Sequence, residues 1–167
     1  VQELVAADSS GVLFTANPIN GEREQMVINA TWGLGEAIVG GLVTPDTVII
    51  EKGTHQILSR ETATKTTMTV RTEGGTEEQA VPAAKQDEAV LGDETAVSLA
   101  KLGTQIETHY NMPMDIEWAM ADGEIAILQA RPITSLPPAP LKNVTWEPAT
   151  PNTIWMRRQI VEHMPEP

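Results

Sequence analysis

The sequence contains no cysteine, which excludes a disulfide framework, a thiol nucleophile and a cysteine-ligated zinc site. Basic residues are also scarce: 11 Lys and Arg stand against 23 Asp and Glu, for a net charge of -12. Nucleic acids and anionic membranes bind basic surfaces, so neither is expected as a partner. The apolar runs, such as residues 47–50, are far shorter than the roughly 20 residues that span a bilayer. We therefore expect a cytoplasmic protein.

The chain has 167 residues, enough for one domain with a hydrophobic core. Its 41% apolar and 20% charged residues are typical of globular proteins. The first residue is Val1 rather than Met, and residues 1–5 lack the basic segment of a signal peptide. We therefore expect a piece of a longer protein.

Short β-rich runs separated by turn residues predict a mostly antiparallel sheet, and hence an α+β fold. Residues at spacings of three and four, ending with Tyr110, form one apolar face and predict a long helix from Asp93, as its N-cap, to Asn111. Glycines around a short apolar run predict a second, short helix near Gly35. Strands are predicted at residues 12–16, 25–30, 47–51, 56–59, 66–72, 79–81, 114–120 and 124–130.

The composition changes near Ser135, where a proline-rich stretch begins. We expect residues 1–135 to form the domain and residues 136–167 to be a linker with the start of a following domain.

The last two predicted strands form a hairpin that carries the candidate site. Asp115 and Glu117 are two residues apart, so their side chains leave one face of the first strand. Gln129 and Arg131 likewise share one face of the second strand. The turn at residues 121–123 decides whether all four side chains lie on the same side of the sheet.

Two registers of this hairpin are possible. A turn of two residues would pair Glu117 with Leu128 and send Gln129 to the opposite face. A turn of three residues, 121–123, would pair Asp115 with Gln129 and bring the four polar side chains together. We predict the three-residue turn, because it leaves a nearly apolar second face for the core.

On a shared face, two carboxylates, an amide and a guanidinium indicate a nucleoside triphosphate site. Carboxylate and amide oxygens suit Mg²⁺, which is normally shared with substrate phosphates. The planar guanidinium of Arg131 suits phosphate oxygens. The alternative is a set of ion pairs on a solvated sheet face.

Four blocks occur in the order typical of one family. The chain resembles the ATP-grasp nucleotide-binding domain of the phosphoenolpyruvate synthase and pyruvate phosphate dikinase family at residues 10–18 (SGVLFTANP), 33–37 (GLGEA), 113–118 (PMDIEW) and 127–132 (ILQARP). The resemblance covers residues 1–134 and only the later, C-terminal half of that domain. The earlier half, with its glycine-rich phosphate loop, would precede this sequence.

The resemblance implies which residues bind ATP and Mg²⁺. Glu117 and Gln129 would hold the metal, and Arg131 would be the catalytic contact to the phosphates. The other residues implied to contact the nucleotide are Asp115, Gln129, Glu36 and, in a strand whose backbone would face the adenine, Gln2, Glu3, Leu4 and Val5.

The family uses ATP to phosphorylate a histidine on a separate swivelling domain, which passes the phosphoryl group to an acceptor. The resemblance therefore implies the ATP- and Mg²⁺-binding part of a multidomain phosphotransferase, inactive alone. Its partners would be the N-terminal ATP-grasp half and the phosphohistidine domain. The three histidines of this chain lie outside any Thr/Gly-rich phosphohistidine motif.

The acceptor stays open. It would be pyruvate in a phosphoenolpyruvate synthase, whereas the proline-rich tail also resembles rifampicin phosphotransferase-type members, which would take a rifampicin-like hydroxyl. An alternative of another class is a non-catalytic acidic β-rich binding module. The basic residues Arg23, Arg60 and Lys65 could approach phosphate, but no spacing singles them out.

Overall fold

A computed structural model describes residues 5–36, 43–72, 74–134 and 136–138. The described part contains eight strands and one α-helix. In chain order these are β1 (Ser9–Phe14), β2 (Gln25–Trp32), β3 (Asp46–Glu51), β4 (Ile57–Glu61), β5 (Thr67–Thr72), β6 (Gly75–Ala80), α1 (Asp93–Tyr110), β7 (Met114–Ala121) and β8 (Glu124–Pro132).

Six strands form one antiparallel sheet in the order β4-β3-β2-β1-β7-β8. The first four strands follow one another as a meander. The chain then returns through α1 and places β7 beside β1, so the sequence-distant ends of the domain meet in the middle of the sheet. The predicted α+β fold with a mostly antiparallel sheet is confirmed.

Helix α1 covers one face of the sheet and forms the core with it. Gly103 lies so close to β1 that a Cβ there would be 2.6 Å from Leu13 Cδ2. Ile116 and Trp118 of β7 face the same core and are fully buried. Since strand side chains alternate between faces, the residues between them point away from the helix.

Two details of the predicted helix are wrong. Gly92, not Asp93, is the N-cap, and it makes no side-chain capping bond. Asp93 is instead the first helical residue, and its carboxylate accepts a 2.8 Å hydrogen bond from Arg60. Tyr110, placed on the apolar face by its spacing, is 50% exposed. Asn111 ends the helix in the left-handed conformation, with φ 54°.

Strands β5 and β6 form a separate two-stranded sheet, called here the ribbon. It meets the main sheet where Leu34 N–H donates a 2.8 Å hydrogen bond to the carbonyl of Thr69. Gly33, with φ 74°, lies against that carbonyl so closely that a Cβ would overlap it. Glycine is therefore required at this junction.

Several predictions fall outside the described residues. The short helix near Gly35 would lie mostly on residues 37–42, and the linker mostly on residues 139–167. The domain boundary near Ser135 stays a prediction. No helix in the described ranges is long and apolar enough to cross a membrane.

Candidate functional site

The hairpin between β7 and β8 turns through two residues, not three. Ala121 pairs with Glu124, and the two residues between them, Asp122 and Gly123, have φ of 52° and 80°. Two successive positive φ values are typical of the tight turn that matches the twist of antiparallel strands. The predicted three-residue turn is wrong.

A β-bulge between the turn and the candidate site shifts the register of β7 and β8 by one residue. Trp118 pairs with Ile127, whereas the preceding residue, Glu117, pairs with Gln129. Leu128 is the extra residue of β8. The structure therefore places Glu117 and Gln129 side by side on one face, an arrangement that a regular hairpin with a two-residue turn would not produce.

The same shift pairs Asp115 with Arg131, so the predicted pairing of Asp115 with Gln129 is wrong. Directly opposite residues on antiparallel strands lie on one face. All four polar side chains of the hairpin therefore lie on the face that α1 leaves uncovered, as the predicted site requires.

A cleft of about 540 Å³ lies on this face of the sheet. Its polar lining includes Ser10, Glu36, Glu117 and Gln129. Ser10 is fixed by a 2.6 Å hydrogen bond from its hydroxyl to the Gly33 carbonyl. The cleft lining therefore offers carboxylate and amide oxygens.

The rest of the cleft lining is mainly apolar. The bulge contributes Leu128, which lines the cleft together with its neighbour Gln129. Two consecutive strand residues normally point to opposite faces, so the bulge explains how both reach the cleft. The larger apolar residues of the lining are Val5, Val12, Leu34, Trp118 and Leu128.

Asp115 and Arg131 form an ion pair next to the cleft. Arg131 Nε donates a 2.9 Å hydrogen bond to Asp115 Oδ2. The Asp115 side chain is 13% exposed and the Arg131 side chain 59%. This hydrogen bond and the charge of Asp115, aided by the charge of Glu117, raise the pKa of Arg131. The guanidinium is thus held through its Nε, while most of the side chain is exposed to solvent.

Asp115 has one unused oxygen. Oδ1 is buried and has no hydrogen-bond partner among the described residues. A buried carboxylate oxygen without a donor is unfavourable, so this face fits a cationic or hydrogen-bonding group supplied from outside the described chain.

Of the remaining predicted nucleotide contacts, two line the cleft and three lie outside the described residues. Val5 lines the cleft, whereas Gln2, Glu3 and Leu4 lie outside the described residues. Glu36 stands at the cleft, and its Oε2 accepts a 3.3 Å hydrogen bond from the Thr76 hydroxyl of the ribbon.

The donor set fits Mg²⁺ that is shared with phosphates. In the described ranges no cluster of three or more His, Asp or Glu could hold a metal ion. Glu117 and Gln129 supply two oxygen donors, and Mg²⁺ is commonly held by one or two protein ligands together with substrate phosphates and water.

The histidines stand apart from this cleft. His55 Nε2 lies 3.1 Å from the Thr104 hydroxyl on α1, and the ring of His109 packs edge-on against Tyr110. His163 lies outside the described residues.

Two features were missed by sequence reasoning. The bulge at Leu128 has no glycine or proline to mark it. Lys65, considered as a phosphate contact, is instead completely buried against Asp46, with Nζ 2.6 Å from Oδ1.

Comparison with known proteins identifies the family of this chain. Residues 1–149 match the model of the family described as "Pyruvate phosphate dikinase, AMP/ATP-binding domain". A probable phosphoenolpyruvate synthase of Methanocaldococcus jannaschii is 48% identical over 137 residues, covering 81% of this chain and 12% of that protein.

Two further relatives have comparable similarity. A phosphoenolpyruvate synthase of Pyrococcus furiosus is 46% identical over 145 residues, covering 81% of this chain and 18% of that protein. A rifampicin phosphotransferase of Bacillus subtilis is 45% identical over 141 residues, covering 84% and 16%. The chain thus spans less than a fifth of the length of these relatives. Because the family model matches residues 1–149 of 167, this chain belongs to the family of pyruvate phosphate dikinase AMP/ATP-binding domains.

Proposed function

We propose that this chain forms the metal-binding side of an ATP site in a longer phosphotransferase of the phosphoenolpyruvate synthase type. The observation that carries this proposal is the pairing of Glu117 with Gln129 in the lining of a mainly apolar cleft. Such a lining suits a nucleotide, because the flat faces of its base pack on apolar side chains and its phosphates are charged.

The chain's own residues would bind the two ends of the nucleotide differently. The apolar lining, with Val5, Val12 and Leu34, would enclose the base and exclude water from it. The segment Gln2 to Val5 would present backbone groups to the adenine edge, and Glu36 would stand at the rim.

Glu117 and Gln129 would hold Mg²⁺ through their side-chain oxygens. When bound, Mg²⁺ neutralises phosphate charge as it develops during transfer. The two residues would orient the triphosphate, because they lie on neighbouring strands of a packed sheet rather than on a loop.

Arg131 would contact the phosphates and is the proposed catalytic residue. Its Nε is already bonded to Asp115, which leaves the two terminal nitrogens for phosphate oxygens. Asp115 would therefore act by positioning Arg131.

This chain would supply only one side of the nucleotide site, so the other side requires a partner. The other half of the site would come from an N-terminal ATP-grasp half, and the phosphoryl group would pass to a histidine on a swivelling domain in the cytoplasm. We further propose that this domain ends near Ser135, with residues 136–167 as a linker.

The proposed acceptor is pyruvate, since proteins named phosphoenolpyruvate synthase are among the most similar relatives. The similarity to a rifampicin phosphotransferase supports a rifampicin-like acceptor as the second candidate. Assays of the full-length protein with each acceptor, at equal ATP and Mg²⁺, separate the two.

Substitution of the paired residues tests the proposal. In the full-length protein, Glu117→Ala and Gln129→Ala are each expected to lower ATP-dependent phosphorylation of the carrier histidine by about 10²- to 10³-fold. The melting temperature is expected to stay within about 5 °C, because neither side chain belongs to the core.

Glu124→Ala is the matched control. It removes an exposed carboxylate beside the turn of the same hairpin and is expected to leave activity unchanged. Wild-type turnover of both site variants would contradict the proposal and favour a non-catalytic binding module.

A further inference from the structure

Lys65 and Asp46 form an enclosed ion pair that the proposed chemistry does not use. Lys65 Nζ lies 2.6 Å from Asp46 Oδ1 and 2.6 Å from the carbonyl oxygen of Ala63. The two side chains are 0% and 1% exposed. Asp46 also accepts hydrogen bonds from the backbone N–H groups of Ala63, at 2.9 Å, and Val90, at 2.8 Å.

Stability alone does not explain such a pair. Removing two charges from water is costly, and apolar side chains of similar volume often stabilise a fold equally well. The bonds of the ion pair are directional, and a displaced charge would be left unpaired. The pair therefore favours one arrangement of the two chain segments that it joins.

The segment that Lys65 fixes is the base of the ribbon. Lys65 lies two residues before β5, and its backbone N–H donates a 2.8 Å hydrogen bond to Gln86 O. Val81, just after β6, donates a 2.9 Å bond to Thr66 O. A two-stranded hairpin is marginally stable by itself, and all of β6 is exposed, so the ribbon's position depends on these anchors.

The ribbon in turn contacts one wall of the nucleotide cleft. Thr69 O of β5 accepts the Leu34 N–H bond, and the Thr76 hydroxyl of β6 donates to Glu36. Leu34 and Glu36 both line the cleft. A continuous set of contacts therefore runs from the ion pair through the ribbon to this wall.

We propose that the Lys65–Asp46 ion pair positions the Leu34–Glu36 wall of the cleft through the ribbon, and thereby sets nucleotide affinity. This inference rests on the nucleotide site of the proposed function. Lys65 is a positioning residue, since it is buried away from the cleft lining.

The position of this wall determines which kinetic constant should change. The wall follows the end of β2, whereas the Glu117–Gln129 pair that would hold the reacting phosphates lies on β7 and β8. Its contacts would stabilise bound substrate and transition state alike, so their loss raises KM for ATP and leaves kcat nearly unchanged.

Two variants of the full-length protein test the inference. Lys65→Met removes the cation at similar length, and the double variant Lys65→Met/Asp46→Asn also removes the charge that would be left unpaired. For the folded variants we expect faster hydrogen exchange at the Leu34 amide and roughly 3- to 30-fold weaker binding of AMP-PNP with Mg²⁺. KM for ATP is expected to rise by a similar factor.

Lys52→Met is the matched control. It breaks another lysine–carboxylate pair, Lys52 Nζ to Glu107 at 2.9 Å, whose residues lie on the helix side of the sheet. Leu34 exchange and AMP-PNP affinity are expected to stay at wild-type values.

Wild-type Leu34 exchange and wild-type AMP-PNP affinity in a folded variant would overturn the inference, as would a fall in kcat at constant KM. If the single variant does not fold, the double variant decides, because it leaves no unpaired buried charge. Failure of the wild-type protein to bind AMP-PNP would instead contradict the proposed function, and Leu34 exchange would still report whether the ion pair holds the wall.

Discussion

Glu117 lies directly across from Gln129 on neighbouring antiparallel strands, although the two-residue turn that joins these strands sets the opposite register near its tip. The extra residue Leu128 accounts for the difference. The proposed metal site thus depends on a bulge as much as on the identity of Glu117 and Gln129.

The first prediction concerns the coupling between metal and nucleotide. If Mg²⁺ bridges Glu117 and the phosphates, each should strengthen the other's binding, by about 5- to 150-fold at typical coupling energies. Glu117→Gln keeps the shape of the side chain and removes its charge. The factor by which Mg²⁺ strengthens nucleotide binding should therefore fall towards one. Calorimetric titrations of the full-length protein with AMP-PNP, in Mg²⁺ and in EDTA, measure it.

Glu124→Gln is the control for that experiment and should retain the wild-type coupling, since it makes the same change at an exposed position of β8. Undiminished coupling in Glu117→Gln would show that this carboxylate does not hold the metal.

The second prediction concerns the anchor of Arg131. Asp115→Asn should lower kcat/KM about 10-fold, because the charge-assisted bond to Arg131 Nε becomes a weaker neutral one. The melting temperature should change little, since the Arg131 side chain is 59% exposed and solvent screens its attraction to Asp115. Steady-state kinetics and thermal unfolding provide the two measurements.

Asp122→Asn makes the same chemical change at the turn of the same hairpin, where asparagine tolerates the left-handed conformation. Its kinetics should match the wild type. Equal losses in both variants would assign the effect to the hairpin as a whole rather than to the anchor.

The third prediction concerns Arg131 itself. Arg131→Lys retains the charge, but a lysine cannot bond Asp115 and a phosphate through one planar fork, so kcat/KM should fall by about 10-fold or more. A lysine variant with wild-type kinetics would mean that charge alone is required.

The pH dependence has a definite sign. A raised pKa keeps arginine protonated in the folded state, and the associated stability is lost only as pH rises through that pKa. Because the ordinary value is already far above neutrality, Arg131 should add no slope to stability between about pH 6 and about pH 9. A stability change in that range that disappears in Arg131→Lys would contradict this.

The fourth prediction concerns the junction of the ribbon and the main sheet. Gly33→Ala should lower the free energy of unfolding by about 2 kcal/mol or more, because φ is 74° and the new Cβ would overlap the Thr69 carbonyl. Gly53→Ala, with open space around it, should cost less than about 1 kcal/mol. Urea unfolding of the two variants measures the difference, and equal losses would contradict the close approach.

Most of the fold was predictable because local signals agreed with one another. Each observed strand overlaps a predicted one, and Asp122-Gly123 correctly marked the last hairpin. The turn length was not predictable from the apolar pattern. Because Ile127 and Leu128 are both apolar, the apolar pattern does not show which of them is the extra residue of the bulge.

The partners of the charged residues were predictable only in part. Asp115 and Glu117 could be placed on one face from their spacing alone. The pairing of Lys65 with Asp46 joins two segments 19 residues apart through a turn of the chain that no local pattern specifies. Side chains whose role depends on such distant contacts are invisible to periodicity.

The two faces of β1 and β7 contact different parts of the molecule. Leu13 and Ile116 support α1, whereas their strand neighbours Val12 and Glu117 line the cleft. Core packing and cleft lining therefore use neighbouring positions of the same two strands, and Trp118 belongs to both. A substitution at Val12 or Glu117 can therefore reshape the cleft while the packing of Leu13 and Ile116 beneath α1 is left intact.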